Sequence, residues 1–279
     1  MLILTSYNRM IRYLSAVAGS PLSDTKAQKG MIVPWILTAS KQIEKYLRRE
    51  LLIDTYTEYF DTLSERDVQF FVKAYPIISL TSVYRDTEGK WDGTNESEID
   101  DCIIGKNIDS IITPFSPETL ALKSTRIIYI GGLAYSGINS LFTCIMTGTW
   151  TAGTYCYGQT SEAVGIVKAK TATTLTIENL YGIFEAGETL AEYSDENITT
   201  ATTNTAVLTT ITRQSLVEQY PDIVRACEIQ VRYYWKHKDD FDLTSTQKDG
   251  TNQRSTYENK NRLTNETMHL LEPYIRQII

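Results

Sequence analysis

The chain contains 279 residues, of which 42% are hydrophobic and 22% are charged, and its formal net charge is −7. This length allows one large domain or two modest ones with a sizeable core, and the acidic balance argues against a general surface for DNA or membranes. No apolar run approaches the length of a membrane-spanning helix, and the four cysteines lack the paired spacing of a zinc site.

Two helices are predicted near the beginning of the chain. Residues 5–18 place apolar side chains on one face and end at Gly19, which indicates a short amphipathic helix. A longer helix is predicted over residues 34–52. Because proline lacks the N–H that a helix interior requires, Pro34 is expected near the start of this helix, and any helical residues before it should form a separate turn or be kinked.

From residue 55 the apolar pattern changes to a period of two, which is typical of strands. Strands are predicted over residues 55–61, 68–72, 77–84 and 126–130. Residues 86–95 are rich in turn formers, so they are interpreted as a hairpin loop that exposes Trp91.

A change in composition marks residues 141–208, which are rich in threonine, glycine and alanine and show short β-type runs. Over residues 141–205 two lysines stand against seven acidic residues, a net charge of −5. Strands are predicted at 163–169, 174–178 and 188–192. A small β domain inserted into the main domain explains both the composition and the charge. Cys144 and Cys156 could pair across a hairpin there or remain reduced.

The chain returns to helix over residues 220–240, where apolar side chains recur at three- and four-residue spacing. Residues 243–261 are polar and predict a linker. Residues 263–279 again show helical spacing of apolar side chains, so this terminal helix is expected either to fold back or to dock elsewhere.

The sequence contains no recognisable catalytic constellation. His237 and His269 have no neighbours in sequence that would form a triad or a metal site, and the acidic cluster of Glu98, Asp100 and Asp101 fits a solvated loop better than a catalytic pair. No catalytic, cofactor or metal residue is assigned. Trp150, like Trp91, lies in a turn-like context, and both are candidates for a subunit or tail interface.

These patterns together predict an α+β protein: a helical bundle with a small antiparallel β-sheet, plus an inserted all-β domain. Residues 1–140 and 209–279 would form the main domain with a C-terminal arm, and residues 141–208 the insertion.

Four segments, in this order, resemble the tailed-bacteriophage head–tail connector (adaptor, or head-completion) family. They are WILTASKQIEKYLRREL at 35–51, YPIISLTSVYRDTEGKW at 75–91, RIIYIGG at 126–132 and YPDIVRACEIQVRYYWKHKDD at 220–240. The family usually passes from the RIIYIGG-type strand almost directly to the last helix, so residues 141–208 depart from its pattern.

The resemblance implies a structural protein without chemistry or cofactor, made in the bacterial cytoplasm and located in the neck of the virion. It implies a homo-oligomeric ring, expected to be a dodecamer, which contacts the portal protein and the tail and surrounds passing DNA without reading its sequence. The C-terminal arm would bind the portal through its apolar residues, namely Leu263, Met268, Leu271, Tyr274, Ile275 and Ile278.

Two other classes of function are compatible with the sequence. An adhesion or capsid-decoration protein would bind glycan or capsid through the inserted domain, using Trp150, Tyr155 and Tyr157. A hydrolase would require a polar pocket around His237 or around the acidic cluster at residues 98–101.

Overall fold

The computed structural model describes residues 3–19, 22, 25–62, 68–114, 121–195, 197–237 and 263–275. In this part of the chain, thirteen strands accompany five α-helices, and six of the strands close into a barrel. The predicted fold class, a helical bundle with a small sheet, is therefore wrong, because the protein is mostly β. The chain divides into two compact units, Met1–Leu47 with Ser136–Ile279, and Arg48–Tyr135.

The first unit begins with two helices, α1 (Tyr7–Ala18) and α2 (Lys26–Leu47). The Ser6 side chain caps α1 by accepting a hydrogen bond from the Arg9 N–H, and Gly19 ends it in the left-handed conformation. Helix α2 begins eight residues before Pro34 and continues through it. The expected boundary at Pro34 is thus wrong, since the buried side chains of α2 extend along one face on both sides of the proline, from Ile32 to Leu47.

The barrel occupies the middle of the same unit. Its strands are β8 (Asn139–Thr147), β9 (Tyr155–Gly158), β10 (Val164–Lys170), β11 (Thr174–Tyr181), β12 (Thr189–Tyr193) and β13 (Ala201–Arg213). All neighbours pair antiparallel in the order β10-β11-β8-β13-β12-β9, and β9 pairs with β10 to close the circle. The predicted strands at 163–169, 174–178 and 188–192 are confirmed as β10, β11 and β12.

The barrel interior is filled by alternating side chains, as expected for a barrel of this size. It contains Phe142, Cys144, Trp150, Cys156, Ala163, Val167, Leu175, Ile177, Phe184, Leu190, Ala206 and Leu208. Phe142 and Phe184 meet edge to face at 5.2 Å. Both barrel cysteines are free thiols, so the pairing of Cys144 with Cys156 is not formed.

Among the described residues, three α-helices follow the barrel: α3 (Leu216–Gln219), α4 (Pro221–Lys236) and α5 (Asn265–Leu271), which continues as a 3-10 turn over Glu272–Tyr274. The helix predicted at 220–240 is confirmed as α4, and its buried side chains include the apolar stripe from Ile223 to Tyr234. The linker predicted at 243–261 lies outside the described residues.

The second unit contains two antiparallel sheets. Its strands are β1 (Asp54–Thr62), β2 (Gln69–Phe71), β3 (Ile77–Asp86), β4 (Glu96–Glu98), β5 (Ile103–Ile104), β6 (Ser110–Ile112) and β7 (Ala121–Gly131). The larger sheet has the order β1-β7-β3-β4 and the smaller one β2-β6-β5. The four strands predicted in this region are confirmed as β1, β2, β3 and β7, and the three longest are nine to eleven residues long.

The core of the second unit comes from one face of both sheets. It includes Phe70, Val72, Ile77, Val83, Ile99, Ile111, Ile127 and Tyr129. Tyr129 stacks on Tyr56 of the neighbouring strand at 5.8 Å. Its hydroxyl accepts a hydrogen bond from the Ala74 N–H and donates one to the Glu58 carboxylate, and burial raises the pKa of this phenol.

Candidate assembly surfaces

The C-terminal helix α5 packs on α4. Leu271 and Thr267 are fully buried and Leu263 is 8% exposed. Thr264 caps the helix by accepting a hydrogen bond from the Thr267 N–H at 3.2 Å. A helix of seven residues is not stable by itself in water, so its contacts with α4 hold it in place.

Polar contacts set the register between the two helices. The Thr264 N–H donates to Gln230 Oε1 at 2.9 Å, and Arg232 Nη2 lies 3.0 Å from Glu266 Oε2. Gln230 is fully buried, so its side chain provides a specific acceptor for the start of α5. The beginning of α5 therefore lies beside the last turns of α4.

The other end of the terminal segment reaches the first turn of α4. The Tyr274 hydroxyl donates to Asp222 Oδ2 at 3.3 Å, and the Tyr274 ring meets the Tyr220 ring edge to face at 6.0 Å. The pKa of Tyr274 is raised by burial and by the neighbouring Asp222 carboxylate. The two helices are thus antiparallel, and the terminal helix folds back onto its own chain, which is one of the two arrangements that the sequence left open.

The residues predicted to bind the portal fall into three groups. Leu263 and Leu271 are buried within the chain, whereas Met268, Tyr274 and Ile275 keep part of their surface exposed. Ile278 lies outside the described residues. While α5 stays on α4, only the three partly exposed residues offer surface to another protein.

Trp91 lies against the outer face of the larger sheet. Its Nε1–H donates to the Lys123 carbonyl at 2.8 Å, and its ring meets the Tyr59 ring at 5.4 Å. The Arg126 guanidinium lies 4.6 Å from the Trp91 ring centre and 4.7 Å from that of Tyr84. Trp91 is therefore half-buried, and only part of its ring is available for an interface.

Asp86 holds the loop that carries Trp91. Its carboxylate accepts hydrogen bonds from the N–H groups of Trp91 at 2.5 Å and Glu88 at 2.8 Å. The bond from Trp91 is the largest influence and keeps the pKa of Asp86 below its ordinary value, in spite of burial. The hairpin loop predicted at 86–95 is thus folded onto the sheet by its own aspartate.

Trp150 lies inside the barrel and is 1% exposed. Its Nε1–H donates to the Thr205 carbonyl at 3.3 Å. The expectation that Trp150 is exposed is wrong, because its side chain packs with the core residues of the barrel.

Three of the acidic residues of the barrel are buried. Glu178, Glu188 and Glu192 are 2%, 4% and 1% exposed. Burial of Glu192 opposes its ionisation, but hydrogen bonds from Thr154, Asn204 and other donors outweigh burial and lower its pKa. These three carboxylates are therefore enclosed in the folded barrel, whereas Glu162 and Glu185 of the same segment are exposed.

An uncharged surface on the outside of the barrel was not predicted. Ile145 on β8 and Val207 on β13 face each other across the sheet and are 66% and 42% exposed. Thr189 pairs with Val207 on one side, and Thr143 pairs with Thr174 further along β8. We call Thr143, Ile145, Thr174, Thr189 and Val207 the barrel face. The alternation of threonine and aliphatic residues on β8 was the signal that could have indicated it.

A groove of about 870 Å³ separates α1 from the barrel. Its wall combines apolar and aromatic side chains with the polar Asn8, Ser15 and Asn197. The Arg12 guanidinium lies 5.5 Å from the Tyr181 ring centre. The lining residues include Tyr7, Ile11, Tyr155, Ile166, Leu180 and Ile198. This lining offers no paired acid and base.

Within the described ranges, no group of three or more histidine, cysteine or acidic side chains is arranged to hold a metal ion. The His237 ring lies tilted against the Tyr233 ring, with 4.5 Å between their centres, and His269 is a surface residue whose Nδ1 lies 3.5 Å from Glu272 Oε2. Glu98, Asp100 and Asp101 are all exposed.

The thiols also lack the features of a nucleophile. Burial raises the pKa of Cys102 and of Cys144 to about 11 and that of Cys227 to about 12. No helix in the described part of the chain combines the length and the hydropathy needed to cross a bilayer.

No family model matches the chain, and no curated protein matches it at a significant level. The resemblance to head–tail connectors therefore rests on the four sequence segments alone. In the structure, these segments contribute to α2, to β3 and its following loop, to β7 and to α4.

Proposed function

We propose that the protein is a virion structural protein of tailed bacteriophages that forms a ring between the portal and the tail. The ring would extend the DNA channel and provide the docking surface for the tail. The protein would act by binding, without a catalytic step.

The observation that carries the proposal is the barrel face, on which Ile145 and Val207 expose apolar surface from two paired strands. Strands of a closed barrel present this surface rigidly, so little conformational entropy is lost when it is covered. Exposed apolar positions on regular strands also occur in the second unit, at Ile78 and Leu122. A ring requires two different patches on each copy, since its interface is heterologous.

The test is the mass of the protein in solution, alone and mixed with the portal protein of the same virus. A ring-sized species, or a stoichiometric complex that forms on addition of the portal, supports the proposal. Ile145→Glu should abolish the assembled species, because a charge would be buried at the contact. Ile183→Glu is the matched control: Ile183 is 51% exposed but lies outside the strands. A protein that stays monomeric with and without the portal contradicts the proposal.

A second candidate function is capsid decoration through the barrel face. The apolar surface that Ile145 and Val207 expose on this face favours contact with a protein surface. Full-length protein would then bind capsids that lack portal and tail, and Ile145→Glu would abolish this binding. No binding to such capsids, together with binding to the portal, would exclude this candidate.

A further inference from the structure

We propose that in the assembled protein the helix α5 of each copy docks on α4 of a neighbouring copy, so that the contacts seen within one chain are exchanged between chains. The proposal rests on the ring assembly proposed above. Its partner is a second copy of this chain, and its surface is the side of α4 that carries Ala226, Gln230 and Arg232.

The first argument is the specificity of the docking site. The Thr264 N–H donates a hydrogen bond to Gln230 Oε1, and Thr267 Oγ1 donates to the Ala226 carbonyl at 3.4 Å. Leu271 is fully buried. The site on α4 is thus built to receive this helix in one register. Exchange between identical copies keeps every one of these contacts, which makes it a low-cost route to an oligomer.

The second argument is the length of chain between the two helices. Because Arg232 contacts Glu266 and the helices are antiparallel, the end of α4 lies within about two turns, or roughly 10 Å, of the start of α5. Antiparallel helices so placed are ordinarily joined by loops of about 2–5 residues. Here residues 237–264 separate the two helices, far more than closure within one chain requires.

The same length is sufficient to reach another copy. A fully extended chain covers at most about 3.3–3.6 Å per residue, so residues 238–262 could span roughly 80 Å. This exceeds the diameter of a small domain, which is about 30 Å. The linker is therefore long enough for α5 to pass from its own α4 to that of an adjacent subunit in a ring.

The test uses two single-cysteine additions to the full chain, Arg232→Cys and Glu266→Cys. These side chains meet at the surface, where their ion pair contributes little to stability. The two variants carry different tags, are assembled together in the presence of the portal, and are treated with a short bifunctional maleimide. The wild-type chain, treated in the same way, measures crosslinking through the native cysteines.

Exchange predicts a covalent heterodimer of the two tagged variants in the mixture. It also predicts a ladder of covalent multimers for the double variant R232C/E266C. If the assembled double variant forms crosslinks only within one chain, the exchange proposal is overturned. The proposed ring function is unaffected by that result. Assemblies that give no crosslink at R232C/E266C also overturn it, because α5 has then left α4 for a different partner. A chain that never assembles removes both proposals.

A second measurement varies the linker. Replacing residues 238–262 with a five-residue Gly-Ser loop should hold α5 on its own α4 and raise the protein concentration at half assembly at least tenfold. A Gly-Ser replacement of the original length is the control, and it should assemble as the wild type does. Equal assembly of the short-loop and full-length variants would overturn the exchange.

Discussion

Arg9 on α1 and Glu228 on α4 form an ion pair across 219 residues of the chain, with 2.5 Å between Nε and Oε1. Nη1 of the same guanidinium donates to the Leu180 carbonyl on β11 at 2.7 Å. Glu228 is 3% exposed, and Arg9 keeps a fifth of its side chain exposed. One arginine thus joins two helices and the barrel wall within the first unit.

Replacement of Arg9 by methionine should lower the free energy of unfolding by about 1–3 kcal/mol, because it leaves the buried Glu228 carboxylate without its nearest cation. In the Glu228→Gln background the same replacement should cost less. Urea unfolding of the wild type, both single variants and the double variant measures the coupling energy directly. Additive effects of the two substitutions would show that the pair does not connect the helices.

Glu188 fixes the turn before β10. Its carboxylate accepts hydrogen bonds from the N–H groups of Ser161 at 3.1 Å and Glu185 at 2.7 Å, and from the Ser161 hydroxyl at 2.9 Å. Glu188→Ala should therefore destabilise the protein by about 1–3 kcal/mol, since it removes the acceptor of three hydrogen bonds that are partly shielded from water. The control is Glu162→Ala, which removes an exposed acid from the same turn and should change stability by less than about 0.5 kcal/mol. Equal melting temperatures for the two variants would contradict the structural role of Glu188.

The sequence predicted those helices and strands that have a regular local pattern of apolar residues. The period-two pattern found β1 and β3, and the three- and four-residue spacing found α4, because these elements bury one face of a regular structure. The continuation of α2 through Pro34 was missed, because packing of the helix face outweighs the loss of one hydrogen bond.

Local sequence patterns could not predict that the strands close into a barrel. The strand β13 consists mainly of threonine and alanine and was not predicted, since its β-branched side chains carry little hydrophobic signal. Burial of Trp150 and Glu192 follows from pairing between strands that are distant in sequence, such as β8 with β13. The turn-like context of Trp150 therefore predicted an exposed side chain, and this prediction failed because local sequence does not show which strands enclose the turn.

Asp195 should titrate well below an ordinary aspartate. Its carboxylate accepts hydrogen bonds from the N–H groups of Thr199 at 3.1 Å and Thr200 at 2.6 Å. These bonds lower the pKa of Asp195 from 3.8 to about 2, and the bond from the Thr199 N–H has the largest effect. The folded turn is therefore favoured above pH 3.8, and this contribution is lost as the pH falls through about 2.

The measurement is the amide chemical shift of Thr199 and Thr200 as a function of pH. Both should change with a midpoint near pH 2, and Asp195→Asn should abolish the change. A midpoint close to the unperturbed value of 3.8 would show that the turn does not stabilise the carboxylate.

Alanine substitutions at two glycines of the first unit should change the free energy of unfolding in opposite directions. At Gly137 a Cβ atom would lie 1.7 Å from the Ile3 carbonyl oxygen, a backbone atom that cannot rotate away, whereas at Gly30 in α2 it would meet nothing within 4 Å. Gly137→Ala should therefore destabilise the protein by about 2–3 kcal/mol through forced backbone movement. Gly30→Ala should stabilise it by about 0.5–1 kcal/mol, because alanine favours an exposed helical position. Since both substitutions restrict the unfolded chain equally, the difference between the two melting temperatures reports the native contact of Gly137 with Ile3. A stable Gly137→Ala variant would mean that the segment at Ile3 does not pack against the start of the barrel.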